Sequence, residues 1–536
     1  MRILGLTTAH DSSICVLNNG QIEYFSKEER LSRIKRDKTA KRSLDKIKGP
    51  FDYIVMCSPT CSDYDKKLER YLKEKYNCKV IPFYKYHHLS HASLAHYNSG
   101  FKQSLTIVID RNGGDYGGMR ESETVFTIKD NDFKELYKSF WLFNIGEEYD
   151  RDNLETIDRL KKQNPDCDYI ADSTMNITKV YETATSLIGE HPLENGKTMG
   201  LSSYGVNKEY TNLFNNGVPA THLFWHKKDE DRKVLLKEHL YNQSNGVDKN
   251  NYQFYADYAY QVQKQTQEEV LKLVRKYVNK TGITNVCLTG GYALNVVCNS
   301  YLVKNLPYVN FYFEPLADDS GNSIGSSMYL WRQLTKNTDV LKLKHTFFNN
   351  KLDLKYVDGI DVTIEQIAKS LSNKKIVAVY NGMSEAGPRA LGNRSILYDA
   401  RDKNAKEVVN KVKKREWYRP FAASVLKEYA GYYFDMMSMN ECPYMTNSYN
   451  VISDKIPGVV HVDNSCRVQT VDNNMPHFYN LLKEFKKITN TSVLLNTSFN
   501  IAGEPLVETI EDAIRTFRKS EIDILWFPEI NKMLHK

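Results

Sequence analysis

Two strand–loop–strand units of the same build constrain this sequence most. The first runs ILGLTT, HDSS, ICVLNNG and QIEYFS over residues 3–27, and the second SLTIVID, RNGGDYGG and ETVFTI over 104–128. In each, an apolar run of strand length breaks at a loop of small, polar or acidic residues and then resumes as a strand. Asn19-Gly20 adds a tight hairpin turn, because both residues tolerate positive φ. Further on, NVCLTGGYALN at 285–295 reads as a buried strand, a Gly-Gly turn and a helix start. Repeated strands with helices between them define an α/β chain.

The spacing predicts a helix over 256–279, where Tyr258, Val262, Thr266, Val270 and Val274 fall four apart. The rest of 129–280 is expected to be polar and mostly helical, and 326–332 helical. Residues 335–362 are polar with little periodicity, and a second α/β segment begins near Ile364. A chain of 536 residues exceeds one core. Two domains are expected, 1–345 and 346–536.

Hydrophobic residues make up 41% and charged residues 26%, which excludes a disordered chain. No apolar run reaches membrane-spanning length, and MRILGLTTAHDSS is not a signal peptide. A cytoplasmic protein with no membrane partner is expected. The net charge of +7 suits small anions and nucleic acid equally. Nine cysteines with no CxxC pair read as reduced thiols, with Cys15, Cys287 and Cys298 in the core.

Several motifs carry chemistry. The paired strand–loop–strand units resemble the actin–Hsp70–sugar kinase type of fold, whose loops face ATP phosphates. Gly290 and Gly291 fit its later nucleotide turn, or simply a tight strand–helix corner. In HHLSH, His87 and His91 share one helical face. Two imidazoles so placed suit a transition metal, with Asp110 and Asp319 available to complete the site; a satisfied histidine pair is the alternative. His10, beside Asp11, is either a general base or a partner of the loop backbone. Lys197 in GKTMGLSSYG lacks Walker spacing and either meets a phosphate or faces solvent.

The second half is rich in arginine. GPRALGNRS holds Arg389 and Arg394; VKKREWYRPF holds Lys413, Lys414, Arg415 and Arg419; Arg467 follows, and NTSFN supplies Asn496, Ser498 and Asn500. Arginine forks match phosphate oxygens in a bidentate way. A nucleic-acid surface is the competing reading. The interleaving with Leu391, Ile396, Phe421 and Val425 favours convergence on a small pocket.

Taken together, AHDSS, HHLSH, GKTMGLSSYG, LTGGYALN, GPRALGNRS, KKREWYRPFAASVL and LLNTSFNIAGEP resemble the NodU/CmcH-type carbamoyltransferases, from residue 3 to the region of residue 527. The resemblance implies an actin-like N-terminal domain of the tRNA threonylcarbamoylation type and a YrdC-like C-terminal domain. It implies carbamoyl adenylate formation from carbamoyl phosphate and ATP, then transfer to an acceptor hydroxyl on a sugar, natural product or modified nucleotide. His87, His91, Asp110 and Asp319 fall on a metal site, usually iron, and Mg(II) would accompany ATP. His10, with Asp11, falls on the base. Lys413, Arg419, Arg467 and Ser498 fall on the carbamoyl-phosphate motifs, as do Arg389, Arg394, Arg415, Asn496 and Asn500. Lys197, Gly290, Gly291 and Asn295 fall on nucleotide motifs. The acceptor pocket is expected from 129–190 and 206–256, and the resemblance allows a homodimer.

Three departures stand out. Met383, Ser384, Glu385 and Ala386 replace an Arg-Met-Glu-aromatic run. DRNGGD replaces an Asp-Gly-x-Gly-Glu loop, with Arg111 directly after Asp110. Cys442 replaces a serine before Pro443-Tyr444. The alternatives to carbamoyl transfer are an actin-fold small-molecule kinase, or a protein that binds or modifies nucleic acid.

Overall fold

The computed structural model describes residues 1–59, 61–142, 147–172, 177–207, 214, 247, 249–250, 252–348 and 357–536. They form two compact units. The first comprises Met1–Ala9, Val16–Gln21 and Gly49–Leu343; the second comprises His10–Cys15, Ile22–Lys48 and Lys344–Lys536. The second unit therefore claims two stretches that the sequence places in the N-terminal domain.

The chain opens with β1 (Arg2–Thr7), β2 (Ser13–Asn18) and β3 (Gln21–Lys27), followed by β4 (Tyr53–Met56) and β5 (Lys79–Pro82). Strands β1, β4 and β5 run parallel, with Leu4 opposite Ile54 and Ile54 opposite Val80. Asn19 and Gly20 sit at φ of 48° and 81°, as the primed hairpin turn requires.

A six-stranded sheet follows, made of β6 (Gln103–Ile109), β7 (Met119–Lys129), β8 (Asp132–Leu142), β9 (Asp168–Asp172), β10 (Asn285–Thr289) and β11 (Asn310–Phe313). Its order is β11-β10-β6-β7-β8-β9. Strands β6, β7 and β8 are antiparallel, and β10 lies parallel to β6 and β11. Strands β8 and β9 correct the expectation of a mostly helical 129–280. Charged residues obscure β8 in the sequence, yet Lys138 is buried because Glu121 of β7 pairs with it at 2.8 Å.

The His87–Ser99 helix is buried over all but one residue. Its small side chains allow this. A Cβ on Gly325, in the Asn322–Thr335 helix, would lie 2.1 Å from Ser90 O, so only glycine permits that approach. Ala92 packs with Val108, Phe126 and Ile128 on the sheet side. The helix predicted over 256–279 spans Gln253–Thr281 and buries Val262, Thr266, Val270 and Val274. Cys15, Cys287 and Cys298 are buried, as expected. Among the described residues no helix is long and apolar enough to cross a membrane.

The second unit is built on β12 (Ile360–Asp361), β13 (Val377–Tyr380), β14 (Arg394–Asp399), β15 (Ala422–Leu426), β16 (Ser448–Asn450), β17 (Ser465–Val471), β18 (Val493–Ser498), β19 (Ile524–Phe527) and β20 (Lys532–His535). These form one mixed sheet of order β12-β20-β19-β13-β14-β18-β15-β17-β16. Strand alternation splits its core in two. Val377, Val379, Leu397 and Leu494 share one cluster with Ile367 and Phe478, whereas Ala378, Tyr380, Ile396 and Leu495 share the other with Val409 and Phe517.

Two arginines hold the early segment in this unit. Arg30, fully buried, donates to Glu385 O, to Gly387 O at 2.9 Å and to Ser384 Oγ at 3.3 Å. Arg33 donates to Leu506 O at 2.6 Å and Pro505 O at 2.9 Å, and lies 3.5 Å from Asp512. Both units are therefore α/β, in agreement with the sequence.

Candidate functional site: a histidine–aspartate cluster and a cation pocket

The helical spacing of HHLSH places His87 and His91 on one face, and the burial of their helix turns both toward the first unit's interior. Asp110 directly follows β6 and Asp319 precedes the Asn322–Thr335 helix. Their four ligand atoms all lie within 4.8 Å of one another, and all four residues are buried. His87 Nε2 is 3.2 Å from Asp110 Oδ2 and 3.3 Å from Asp319 Oδ1, and His91 Nε2 is 3.5 Å from the same Asp319 oxygen.

The electrostatics match this geometry. Burial pushes the Asp110 and Asp319 carboxyls up, but the facing histidines reverse the sign and hold both well below the usual carboxylate range. Burial likewise depresses His87, yet Asp319 and Asp110 hold it well above the ordinary histidine range. Two imidazoles and two carboxylates converging in a buried interior suit a divalent transition metal, whose charge would balance the two acids. The donor set therefore fits such an ion.

Asp110 also anchors the Gly-Gly turn, since Gly291 N–H donates to its Oδ1 at 3.0 Å. Gly290 has φ of 84°, and a Cβ there would sit 2.4 Å from Ile109 O. Close packing against β6 thus accounts for this glycine. Arg111, which follows Asp110, pairs with Glu182 at 2.6 Å.

The remaining motif residues of this unit have internal partners. Lys197 Nζ lies 2.6 Å from both Glu190 and Glu194. Asn295 caps the Val296–Asn305 helix by accepting from Cys298 N–H at 3.0 Å, and its amide donates to Gln263 at 3.0 Å. Neither is in the histidine–aspartate cluster. Of the Tyr-rich stretch 252–260, Tyr255 is buried in the core. Most of 206–256, expected to shape an acceptor pocket, lies outside the described residues.

In the second unit, His10 Nδ1 lies 2.7 Å from Asp11 Oδ2, and the buried Lys27 donates to Asp11 Oδ1 at 3.4 Å. Nδ1–H donation to the carboxylate would leave Nε2 as the accepting nitrogen. Ala9, just before, holds φ of 133°, a conformation alanine rarely adopts.

The cation pocket forms where β15 begins and β18 ends. Across the sheet, Ala422 is opposite both Asn496 of β18 and Arg467 of β17. The Ala405–Lys413 helix ends at Lys414, and the loop before β15 carries Arg415 and Arg419. Lys413, buried, donates to Ser498 O, to Ser498 Oγ at 3.0 Å and to Asn500 Oδ1 at 2.6 Å. Burial and then the charges of Arg415 and Arg419 push its ammonium well below the ordinary lysine range. Burial, Arg419 and Arg467 do the same to Arg415. Burial is also the main cause that lowers Arg467 to about 10. Glu416, 3.4 Å from Arg419, is the one carboxylate paired with these four cations among the described residues. The Nε atoms of Arg415 and Arg467 are buried and have no hydrogen-bond partner. An anion is the ligand that such an array lacks.

Two expected members, Arg394 and Asn496, are placed differently. Arg394 is fully buried and donates to Asn381 O at 2.6 Å and Gly382 O at 3.0 Å, with its guanidinium 3.7 Å from the centre of the Tyr380 ring. Asn496 donates to Ser424 Oγ at 2.9 Å and Gln469 Oε1 at 3.1 Å. Both build the sheet. Arg389 is half-buried.

Sequence reasoning named Glu385 without giving it a role; it shapes the GPRALGNRS loop by accepting from the N–H groups of Leu391 at 2.7 Å and Asn393 at 3.0 Å. Sequence reasoning missed Asn322, whose amide lies 2.9 Å from His91 Nε2. Its position three residues after Asp319, in DDSGNSIG, was the available signal.

Comparison with known proteins places these features. Residues 60–328 match the carbamoyltransferase N-terminus and residues 368–533 the carbamoyltransferase C-terminus. An uncharacterized protein of Synechocystis sp. is 34% identical over 50% of this chain and 51% of its own length, so the chain spans about half of that relative. An uncharacterized protein of Methanocaldococcus jannaschii is 30% identical over 86% of this chain and 74% of its own. The nodulation protein NolNO of Sinorhizobium fredii is 27% identical over 96% of this chain and 78% of its own. The histidine–aspartate cluster falls inside the first matched span and the cation pocket inside the second, and with both halves present in order the chain belongs to the carbamoyltransferase family.

Proposed function

We propose that this protein is an ATP-dependent O-carbamoyltransferase that works through carbamoyl adenylate. The observation that carries this reading is the cation pocket of the second unit. Lys413, Arg415, Arg419 and Arg467 repel one another, and two of the guanidiniums hold buried N–H groups without an acceptor. Carbamoyl phosphate and ATP together bring enough phosphate oxygens to satisfy them. The enclosure of Lys413 disfavours a nucleic-acid surface, which would expose its cations.

In the proposed first stage, water takes the phosphoryl group of carbamoyl phosphate. The resulting carbamate oxygen attacks the α-phosphorus of ATP and pyrophosphate leaves. Lys413 and the three arginines hold the charge that moves between these groups. Carbamate is a poor electrophile, and adenylation supplies its leaving group. In the second stage the acceptor hydroxyl attacks the carbamoyl carbon and AMP departs. His10, oriented through Nδ1 by Asp11, takes the hydroxyl proton at Nε2.

We assign His87, His91, Asp110 and Asp319 to a divalent ion, Fe(II) by family resemblance, which would offer positive charge to phosphate oxygens. The paired strand–loop–strand units and the Gly-Gly turn support an actin-like reading of the first unit, and the motif resemblance a YrdC-like reading of the second. In that reading Gly290 and Gly291 border a nucleotide through their turn, and Lys197 and Asn295 are assigned to it by the motifs they fall on. A hydroxyl-bearing sugar, natural product or nucleotide is the acceptor class.

Pyrophosphate release from ATP, with and without carbamoyl phosphate and with no acceptor present, tests the reading. Release that requires carbamoyl phosphate is the expected result. Phosphorylated acceptor formed from ATP alone would replace it with a kinase.

A further inference from the structure

We infer that Asn322 is a fifth ligand of the metal centre, binding through its side-chain oxygen; this rests on the metal reading above. Asn322 opens the helix that follows Asp319 and is completely buried. Its amide nitrogen lies 2.9 Å from His91 Nε2 and 3.4 Å from His87 Nε2. Those nitrogens are the atoms that lie 3.2–3.5 Å from the Asp110 and Asp319 oxygens. The end of the Asn322 side chain therefore stands in the same ring as the four ligands. Two ligands at about 2.1 Å from one ion and at right angles to each other lie about 3.0 Å apart. The spacings around Asn322 are those of neighbours on one coordination sphere.

The hydrogen bonding points the same way. The amide nitrogen faces both Nε2 atoms, while Asn322 Oδ1 is buried with no hydrogen-bond partner. Once an ion takes both Nε2 lone pairs, the NH₂ group has no acceptor left there. Half a turn about Cβ–Cγ exchanges nitrogen and oxygen in the same volume. That turn gives the ion a neutral oxygen ligand and leaves the charge balance to the two aspartates.

Cobalt(II) serves as the probe, because its visible bands are strong when it is four-coordinate and weak at five or six. The wild-type protein, stripped of metal and titrated with Co(II), is expected to show weak bands. Asn322→Ala is expected to strengthen the bands and weaken Co(II) binding about tenfold or more. Asn322→Asp, which keeps the oxygen, is expected to retain weak bands and bind at least as tightly as wild type. An Asn322→Ala protein with unchanged bands and affinity would overturn the assignment. Should that variant fail to fold by circular dichroism, Asn322→Asp decides: strengthened bands or weaker binding would equally overturn it. Wild-type protein that takes up no Co(II) would remove the metal centre itself, and the inference with it.

Discussion

Gly291 N–H donates to Asp110 Oδ1 at 3.0 Å, and the other oxygen of the same carboxylate lies 3.2 Å from His87 Nε2. One side chain thus joins the Gly-Gly turn to the histidine helix. Gly290→Ala is expected to disturb both, because its Cβ would meet Ile109 O at 2.4 Å with φ at 84°. A loss of more than about 1 kcal/mol is expected, read as a lower Tm. An unchanged Tm would show that the turn relaxes freely.

Chelation should destabilise the protein. Fe(II) at a hundredfold excess over its Kd adds about 2.7 kcal/mol to a folded state that binds it. The thermal midpoint should therefore fall when a chelator is added and recover with Fe(II). His91→Ala should abolish that difference, and a His91→Ala protein that still responds to Fe(II) would place the ion elsewhere.

Arg467 is held below the ordinary arginine range by burial, with Arg419 adding to the effect. Removing its charge should relieve repulsion among the pocket's cations when no anion is bound. Arg467→Met is expected to melt no lower than wild type without ligand, yet to show none of the rise in Tm expected of wild type with carbamoyl phosphate. Arg419→Ala should lose carbamoyl-phosphate-dependent pyrophosphate release. Wild-type release in that variant would take Arg419 out of the site.

Glu314 is completely buried, and burial raises its carboxyl to about 7 from 4.5, although Leu316 N–H, Asn98 and Tyr312 donate to it. Between these values the folded state binds the extra proton, so stability falls as pH rises from 4.5 through 7. The shift amounts to about 3 kcal/mol. Glu314→Gln should flatten this slope in urea denaturation at pH 5 and pH 8. A slope that survives the substitution would assign it to another group.

Arg30 spans Ser384, Glu385 and Gly387 with donors that nothing else among its described contacts replaces. Arg30→Ala should cost about 2–4 kcal/mol, as buried carbonyls lose their partners. Trypsin should then cut the basic 30–48 stretch sooner than in wild type. Equal cleavage rates would show that Arg33 suffices as the anchor.

Much of the local structure was legible in the sequence because it depends on backbone periodicity alone. The opening strands, β6 and β7, the long helix around Val262–Val274 and the strand before Gly290 follow from twofold and 3.6-fold patterns. So does the shared face of His87 and His91. Strand β8 escaped because its buried charge, Lys138, is neutralised by Glu121 from another strand, and no local pattern records such a pair.

What the sequence determined by itself is therefore the inventory: the elements, the metal-type donors, the arginine motifs and the family they resemble. Tertiary structure decided which members of each motif remain available. Arg394 and Arg415 look alike in sequence, yet register places Arg394 opposite Tyr380, where its two terminal NH2 groups donate to carbonyls, while Arg415 stays among unneutralised cations. Likewise Asn496 is drawn into the sheet by Ser424 and Gln469, and Ser498, two residues on, meets Lys413. Asn322 joins the histidines only because its helix packs against theirs. Hydrogen-bond partners across such distances are set by strand register and helix approach, which are properties of the assembled core and leave no trace in the spacing of residues along the chain.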